Sequence, residues 1–483
     1  MKKKSRRTFL KSGIVAAGAL TLGREASAQI TPTNAHIHAS MRSAEPFDPA
    51  KEPERVRKSF YDLTDDELRN LCRAIGYMRS NTPLESPLNW ENYARDHAFH
   101  CTEASAEYPA VHWSWNFLPW HRGDLYFLER ILANILTTQF DIDGSKFALP
   151  YWDWSVHQEI PNTRLRKQKR LASPLFGYDL SQENMVNPDT LGFDNTALYD
   201  GSRGPTIQNP KMNPAKERTR DSREHVRQTM YYMSPGYVSL MLAAPFEVFG
   251  GKPVTDRQTG QGLLEQGPHN NGHDWVGTRI GKNRTMGTLR SAASDPIFYL
   301  HHANIDRIWS LYTQPQPDPA GPWGVQQYTF LDTDGSPIVQ SVQNIVENTA
   351  NVSYASSGKA FSVRKPSKVA ATTTAIARTM KSDPITIPVP RALFGQGEML
   401  LDIRTGPITH VGKYTVRIYA GKQLVGQLQM LDGENRLQHK SPFMTHTFSL
   451  LLTKLPPRGS SLTLVPPKKG FKILLKSFRY RPL

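Results

Sequence analysis

Two stretches of the chain concentrate histidines in a way that suggests metal binding. The first contains HAFHC (97–101) and HWSWNFLPWHR (112–122), and the second is EQGPHNNGHDW (265–275). Four histidines within the first stretch, embedded in Trp and Phe, are hard to explain as separate structural residues. Aromatic side chains of this kind exclude water from a metal site and tune its chemistry.

Within the second stretch, His269 and His273 stand four residues apart, so on a helix they share one face and can hold one ion. A third ligand must come from His301 or His302 in DPIFYLHHANIDRIW (295–309). Neighbours on a helix point about 100° apart. Helical geometry alone therefore allows either of these two histidines, but not both in the same way.

The spacing also limits which metal such a site would take. The Glu-x-x-His and His-Glu-x-x-His patterns of di-iron bundles and zinc proteases are absent around EQGPHNNGHDW. Coordination by imidazoles alone favours copper or zinc over iron or magnesium. A blue-copper site in the C-terminal part is excluded, because it needs a thiolate and no cysteine follows Cys101.

Helical stretches surround these histidines, and the texture changes after Trp309. Helical patterns cover 55–77 with Thr64 as N-cap, 91–102, 121–136, 224–233 and 296–312. QPQPDPAGPWG (314–324) would break any helix, and 363–380 is a basic connector rich in Ala and Thr. Short alternating runs separated by Gly, Pro and Asp-Gly then predict an all-β sandwich or barrel.

The N-terminus reads as an export signal. Residues 1–28 carry +6 of the formal net charge of +16 and contain SRRTFLK, a short apolar run and the small-residue cleavage site Ala26-Ser27-Ala28. SRRTFLK matches the twin-arginine pattern, so the twin-arginine export machinery is an expected partner and the mature protein is expected to be periplasmic or secreted. The apolar run is too short for a permanent membrane anchor.

The remaining charge and the cysteines exclude other classes. The other basic residues are scattered and no nucleic-acid reader motif is present, so we expect no nucleic-acid partner. The two cysteines, Cys72 and Cys101, allow at most one disulfide.

Two longer motifs resemble those of a known family. The run His112-x4-Phe117-Leu-Pro-Trp120-His121-Arg122-x2-Leu125-x3-Glu129 resembles the first copper motif of tyrosinases and polyphenol oxidases. The run Asp295-Pro296-Ile-Phe298-Tyr299-x2-His302-x3-Asp306 resembles the second. The resemblance covers residues 50–312 and extends more weakly to the C-terminal β-region. With its twin-arginine signal, the chain resembles the bacterial type of this family.

The resemblance implies a mostly α catalytic domain, a four-helix bundle with long loops that holds a type 3 dicopper site, followed by an all-β domain. The implied copper ligands are His97, His112, His121, His269, His273 and His302. Cys101 follows His97 by four, and family members with this spacing join the cysteine to the second histidine by a thioether, here His112. His100 would then be a supporting or surface residue.

The resemblance further implies a phenol oxidase with two copper ions and O2 as co-substrate. It would hydroxylate monophenols and oxidise o-diphenols to o-quinones, and small phenols would be its substrates. Glu265 stands where members place a carboxylate that holds a water, and Asn270 where an amide orients it; such a carboxylate is a suitable general base. Leu289 stands where plant members often carry Phe, which suggests a more open substrate entrance.

The domain boundaries expected from these features are residues 1–28 for the signal, 29–340 for the catalytic domain, 341–380 for a linker and 381–483 for a β-sandwich that is a candidate lid. Cleavage in the basic connector would then activate the enzyme. The alternatives are a catechol oxidase without monophenol hydroxylation, a hemocyanin-like oxygen carrier, and a zinc hydrolase in which Glu265 and imidazoles activate water.

Overall fold

A computed structural model gives the fold of the chain. The structure describes residues 49–102, 111–155, 196–198, 228–255, 258–277, 286–356, 361, 372–381, 383–389, 399–408, 414–431, 445–452, 461–467 and 472–482. The expected signal at 1–28 and three of the basic connector residues, Arg364, Lys365 and Lys368, lie outside these ranges.

The first helix begins later than the sequence pattern predicts. Helix α1 spans Asp65–Ser80, and Thr64 caps it through a capping box with Glu67. The residues before it form strand β1 (Arg55–Arg57) instead of helix, because they pair in parallel with strand β5 (Val352–Tyr354). A partner almost three hundred positions away outweighs the local helical pattern.

Four helices carry four of the six expected copper ligands. They are α2 (Trp90–Thr102), α3 (Phe117–Phe140), α6 (Asn270–Val276) and α7 (Ile297–Ser310). Helix α3 is buried along most of its length and ends at Asp141, whose left-handed conformation closes the last turn. Helices α4 (Pro235–Ala243) and α5 (Phe246–Phe249) complete the described helical layer between α3 and α6 in the chain.

A wide turn precedes α6. Residues Glu265–His269 form a π-helical turn that contains Pro268. Proline has no backbone N–H to donate to the preceding turn, which explains why the regular helical ladder is interrupted here. π-Turns are frequent at functional sites.

The segment expected as a linker is largely structured. Strand β4 (Pro337–Ser341) pairs with β3 (Gln327–Leu331), and helix α8 (Val342–Asn348) leads into β5. Residues up to Tyr354 pack on the helical region, beyond the boundary expected at 340–341. At the other end, β6 (Thr372–Met380) is already part of the C-terminal sheet, where it pairs with β13 (Ile473–Pro482).

The C-terminal region forms two sheets around one hydrophobic core. Its other strands are β7 (Ile385–Pro388), β8 (Met399–Ile408), β9 (Tyr414–Ala420), β10 (Gln423–Met430), β11 (Thr445–Leu452) and β12 (Ser461–Val465). One sheet has the order β10-β9-β12-β7 and the other the order β2-β11-β8-β13-β6. The predicted order of a helical region followed by a β-region is confirmed.

One strand of the second sheet comes from the helical part of the chain. Strand β2 (Gln258–Gln261) lies at the sheet edge, parallel to β11, with Gln258 opposite Thr445 and Gln261 opposite Phe448. The two regions therefore share a sheet, which the sequence did not predict. Among the described residues, no helix has the length and apolar character needed to cross a bilayer.

Candidate dinuclear metal centre

The six expected ligands form two groups of three. In the first, His97 on α2, His112 in the loop before α3 and His121 on α3 bring their candidate ligand atoms within 4.8 Å of one another. In the second, the same holds for His269, His273 on α6 and His302 on α7. All six side chains are buried.

The two groups lie against each other. The rings of His121 and His302 stack with their centroids 4.2 Å apart, and the His112 and His269 centroids are 5.6 Å apart. Within the second group, the Nε2 atoms of His273 and His302 are 3.3 Å apart. The six imidazoles thus line one small chamber in which two metal ions would be close neighbours.

Oxygen acceptors behind the rings fix the orientation of three imidazoles. The Nδ1–H of His121 donates to the Phe117 carbonyl at 2.7 Å, and that of His273 donates to the Met286 carbonyl at 2.9 Å. His269 Nδ1 lies 2.9 Å from the Asn270 side-chain oxygen. Because these oxygens only accept, each Nε2 keeps its lone pair for a metal.

The chamber keeps its imidazoles neutral. Burial lowers the pKa of His121 to about 3, and burial with neighbouring histidines lowers the pKa values of His97, His112, His269 and His302 well below the usual range. Neutral imidazole is the form that binds a metal ion.

Two buried ring nitrogens in the histidine cluster are left for a metal ion to bind. The Nε2 atoms of His121 and His269 are buried and have no hydrogen-bond partner among the described residues. A buried polar atom without a partner costs free energy unless something else satisfies it. Six neutral imidazoles with no carboxylate ligand fit copper, so the two triads fit a dinuclear copper site.

Two phenylalanines close the chamber. The centroid of the Phe298 ring lies 4.2 Å from that of His302 and 4.5 Å from that of His97. The centroid of the Phe117 ring lies 4.6 Å from that of His269. Both phenylalanines belong to the two motifs found in the sequence, and both are buried. They exclude water from the side of the site that they cover.

His301 faces away from the metal chamber. Its Nδ1 accepts from the Trp154 indole N–H at 3.2 Å, so the ring proton is on Nε2, which donates to the His269 carbonyl at 3.3 Å. A Cβ on Gly272 would meet the ring at 2.4 Å, so only glycine fits there. The structure thus groups His302, and not its neighbour, with the ligands.

Cys101 and His100 lie on either side of the first triad. The Sγ atom of Cys101 is 3.1 Å from His97 Nε2, and the thioether to His112 stays a prediction. His100 is buried against Trp120, with ring centroids 5.2 Å apart, and lies 3.8 Å from Asp96. His100 was expected to be either a supporting residue or a surface residue. The surface position is wrong, because His100 is buried.

Glu265 and Asn270 are both buried and share one partner. The backbone N–H of Trp113 donates to the Glu265 carboxylate at 2.9 and 3.2 Å. The side-chain amide of Gln261 donates to Glu265 at 3.1 Å, and its oxygen accepts from Asn270 at 3.4 Å. Glu265 is thus tied to the residue after the ligand His112, and Asn270 to the ligand His269.

Leu289 is fully buried in the helical core, as is Met286, whose carbonyl accepts from His273. The more open substrate entrance at this position stays a prediction.

Sequence reasoning missed three residues that hold the site together: Trp113, Gln261 and Gln429. Trp113 stands next to a ligand, and its position was the one available signal. Gln261 lies four residues before Glu265, whereas Gln429 has no local signal, because its carbonyl accepts from Asn270 across the two regions.

With this geometry established, similarity to known proteins is informative. Residues 87–315, which include all six histidines of the two triads, match a protein-family model described as the common central domain of tyrosinase. The chain is 30% identical over 275 residues to a chloroplastic polyphenol oxidase of Spinacia oleracea, covering 54% of this chain and 39% of that protein. It is also 30% identical over 269 residues to a chloroplastic (+)-larreatricin hydroxylase of Larrea tridentata, covering 53% and 41%.

The fold has a counterpart among solved structures. Recombinantly expressed latent aurone synthase, a polyphenol oxidase, superposes with a TM-score of 0.65 at 22% identity, over 91% of this chain and 92% of that chain. At this identity the similarity concerns the fold. The chain spans about two fifths of the length of the curated relatives it matches.

The two facing histidine triads fit a dinuclear copper site. Residues 87–315 belong to the tyrosinase family of type 3 copper proteins, and the chain is similar to polyphenol oxidases.

Proposed function

We propose that this protein is a copper-dependent phenol oxidase that hydroxylates monophenols to o-diphenols and oxidises o-diphenols to o-quinones with O2. The observation that carries the proposal is the single buried chamber lined by two triads of neutral imidazoles. A bound copper pair would supply the electron transfer between the phenol and O2. The names of the relatives, polyphenol oxidase and larreatricin hydroxylase, support phenols as the substrate class.

In this proposal each triad holds one copper ion. His97, His112 and His121 bind the first, and His269, His273 and His302 bind the second, with Cys101 joined to His112 by a thioether. The helices that carry these ligands form the family's four-helix bundle. Phe117 and Phe298 keep water away from the site, which strengthens electrostatic interactions inside it.

Hydroxylation needs a base for the phenol proton, and Glu265 has this role. Its buried carboxylate lies one hydrogen bond from the residue that follows the ligand His112. It takes the proton of the phenol hydroxyl through a water that Asn270 helps to orient. The Asn270 side chain is fixed in place, because its amide N–H donates to the Gln429 carbonyl and its oxygen accepts from His269 Nδ1.

A catechol oxidase without hydroxylation is the second candidate. The observation that favours it is that the Glu265 carboxylate already accepts hydrogen bonds from Trp113 and Gln261. These donors compete with a catalytic water for the same oxygens. Catechol oxidation needs this base less, because a catechol is oxidised without inserting an oxygen atom.

The deciding experiment is oxygen consumption by copper-reconstituted protein with tyrosine, catechol and an aminophenol. We expect turnover of monophenol and diphenol, and we expect Glu265→Gln to slow monophenol oxidation about 100-fold, since positioned general bases typically contribute 10²–10⁴. Catechol oxidation should change far less. Glu247→Gln is the matched control, because this glutamate is exposed and pairs with Lys252.

Three outcomes would contradict the proposal. Catechol turnover without any monophenol oxidation, even with a diphenol primer, identifies a catechol oxidase. Reversible O2 absorbance without turnover identifies an oxygen carrier, and zinc without copper in metal analysis identifies a hydrolase.

Localisation follows from the N-terminal pattern. We propose export of the folded protein by the twin-arginine machinery to the periplasm or the exterior. The relatives named above are, by contrast, chloroplastic. Replacing Arg6 and Arg7 by Lys should leave the protein inside the cell with its signal attached. Unchanged export of that variant would contradict this route.

A further inference from the structure

Trp113 joins the first metal triad to the C-terminal β-region. It follows the ligand His112 directly, and its backbone φ of 61° is unusual for a bulky residue. Such conformations persist only where surrounding contacts enforce them, and they cluster at functional sites. Trp113 is fully buried, but its ring belongs to the core of the β-region and not to the helical core.

Aromatic residues of β11 enclose this ring. Trp113 meets His446 edge-on at 5.1 Å and Phe448 at 5.3 Å between ring centroids. Both contacts come from one strand of the C-terminal sheet. The side chain of a residue in the catalytic loop is therefore a core residue of the other region.

The backbone of Trp113 is fixed on both sides. Its carbonyl accepts from the Gly260 N–H at 2.7 Å and from the Thr259 hydroxyl, both on β2. Its N–H donates to the Glu265 carboxylate. Because β2 is itself an edge strand of the C-terminal sheet, the ring and the carbonyl are both held by that sheet, and the N–H is thereby aimed at Glu265.

Strand β10 holds the other half of the same site. The Gln429 carbonyl accepts from Asn270 at 3.0 Å and from Gln266 at 2.8 Å. The Gln427 side-chain amide donates to Asn271 at 2.5 Å. The π-helical turn that contains Glu265 and the first residues of α6, which include Asn270, are thus bonded to the β-region by several buried hydrogen bonds.

We propose that the C-terminal β-region is a positioning part of the active site, with Trp113 as the positioning residue that fixes Glu265 beside the first triad. This inference rests on the proposed role of Glu265 as the base for monophenols. The competing interpretation is a lid that only covers the entrance and can leave without disturbing the site. If the β-region positions the site, loosening the β-core around Trp113 must displace Glu265.

The test uses the full chain and two matched variants of the β-core. Phe448→Leu removes a ring that contacts Trp113, whereas Phe478→Leu makes the same change in the same core at an equally buried position on β13. The first readout is amide hydrogen exchange of Trp113, whose N–H bonds to Glu265. The second is the ratio of monophenol to catechol oxidation by the copper-loaded proteins.

We expect Phe448→Leu to accelerate exchange at Trp113 and to lower the monophenol to catechol ratio about tenfold, part of the contribution of a positioned base. Phe478→Leu should lower the melting temperature without either effect. If the two variants behave alike, or if neither changes the exchange, the positioning role is wrong. The exchange result decides this even if the wild-type protein shows no phenol oxidation, so the two proposals fail separately.

Trp113→Phe and Trp90→Phe provide a second pair. Trp90 is equally buried, but its indole donates to Ser294 within the helical region. A smaller ring at position 113 should reproduce the Phe448→Leu pattern, and the same change at position 90 should not. An unchanged exchange rate and ratio in Trp113→Phe would overturn the inference.

Discussion

The rings of His121 and His302 lie almost parallel, inclined by 8°, with their centroids 4.2 Å apart. Each belongs to a different triad, and each comes from one of the two family motifs. This stacked pair is therefore the point at which the two metal-binding halves of the site meet.

Replacing His302 should remove one copper ion per chain, while replacing the adjacent His301 should not. His302→Ala deletes a member of the second triad, whereas the ring nitrogens of His301 are hydrogen-bonded to Trp154 and to the His269 carbonyl. Metal analysis after copper reconstitution checks this. Loss of a whole copper equivalent in His301→Ala, with His302→Ala fully loaded, would show that the register of α7 is misread.

Gly272→Ala should destabilise the protein by about 1–3 kcal/mol, the usual cost of overpacking a core. The new methyl group would lie 2.4 Å from the His301 ring, which hydrogen bonds hold on both sides. Gly236→Ala is the matched control, since its nearest neighbour would be 3.8 Å away and α4 should gain slightly. Equal melting temperatures for the two variants would contradict the prediction.

The copper-free protein should lose stability as the pH falls below about 6.5, the pKa of histidine in an unfolded chain. Burial lowers the pKa values of the five histidines named above, so only the unfolded chain takes up their protons. Each contributes up to about 1.4 kcal/mol per pH unit.

Two carboxyls, one buried and one partly exposed, act in the opposite direction. Burial raises the pKa of Asp96 to about 7 and that of Asp124 to about 8, so the folded protein gains protons there as the pH falls. Two such groups do not offset five histidines below pH 6.5, and urea midpoints measured between pH 6.5 and pH 5 should decline. A midpoint that stays level or rises over this range would contradict the assignment of neutral imidazoles.

The thioether predicts a mass change. Joining Cys101 to His112 removes the thiol hydrogen and one ring hydrogen, and the two electrons pass to an oxidant such as O2. Copper-exposed protein should therefore be two hydrogen atoms lighter than the metal-free form by intact mass spectrometry, and Cys101→Ser should show no difference. An unmodified thiol that still reacts with an alkylating agent after copper loading would exclude the bond.

Local signals predicted the local structure well. The Thr64 cap and the helices of the two motifs depend on residues close in sequence, and the structure has them. The helical pattern extends over 55–63, although Arg55–Arg57 form strand β1. The pattern misses this strand because its partner, β5, lies far along the chain. The same limit applies to the linker, because pairing of β6 with β13 has no local signature.

The site shows the same division. Spacing brought His269 and His273 together, but only the family motif chose His302 over His301. The contact of Glu265 with Trp113 could not be predicted, since these two residues are 152 positions apart in the chain.

The shared sheet has a consequence for biosynthesis. Strand β2 and Trp113 acquire their partners only when β11, near the C-terminus, has left the ribosome. The loop that contains Trp113 therefore cannot reach its final structure until the C-terminal strands are synthesised. Long-range strand pairing of this kind folds slowly. A nascent chain stalled before β11 should therefore remain dependent on chaperones, however complete its helices are.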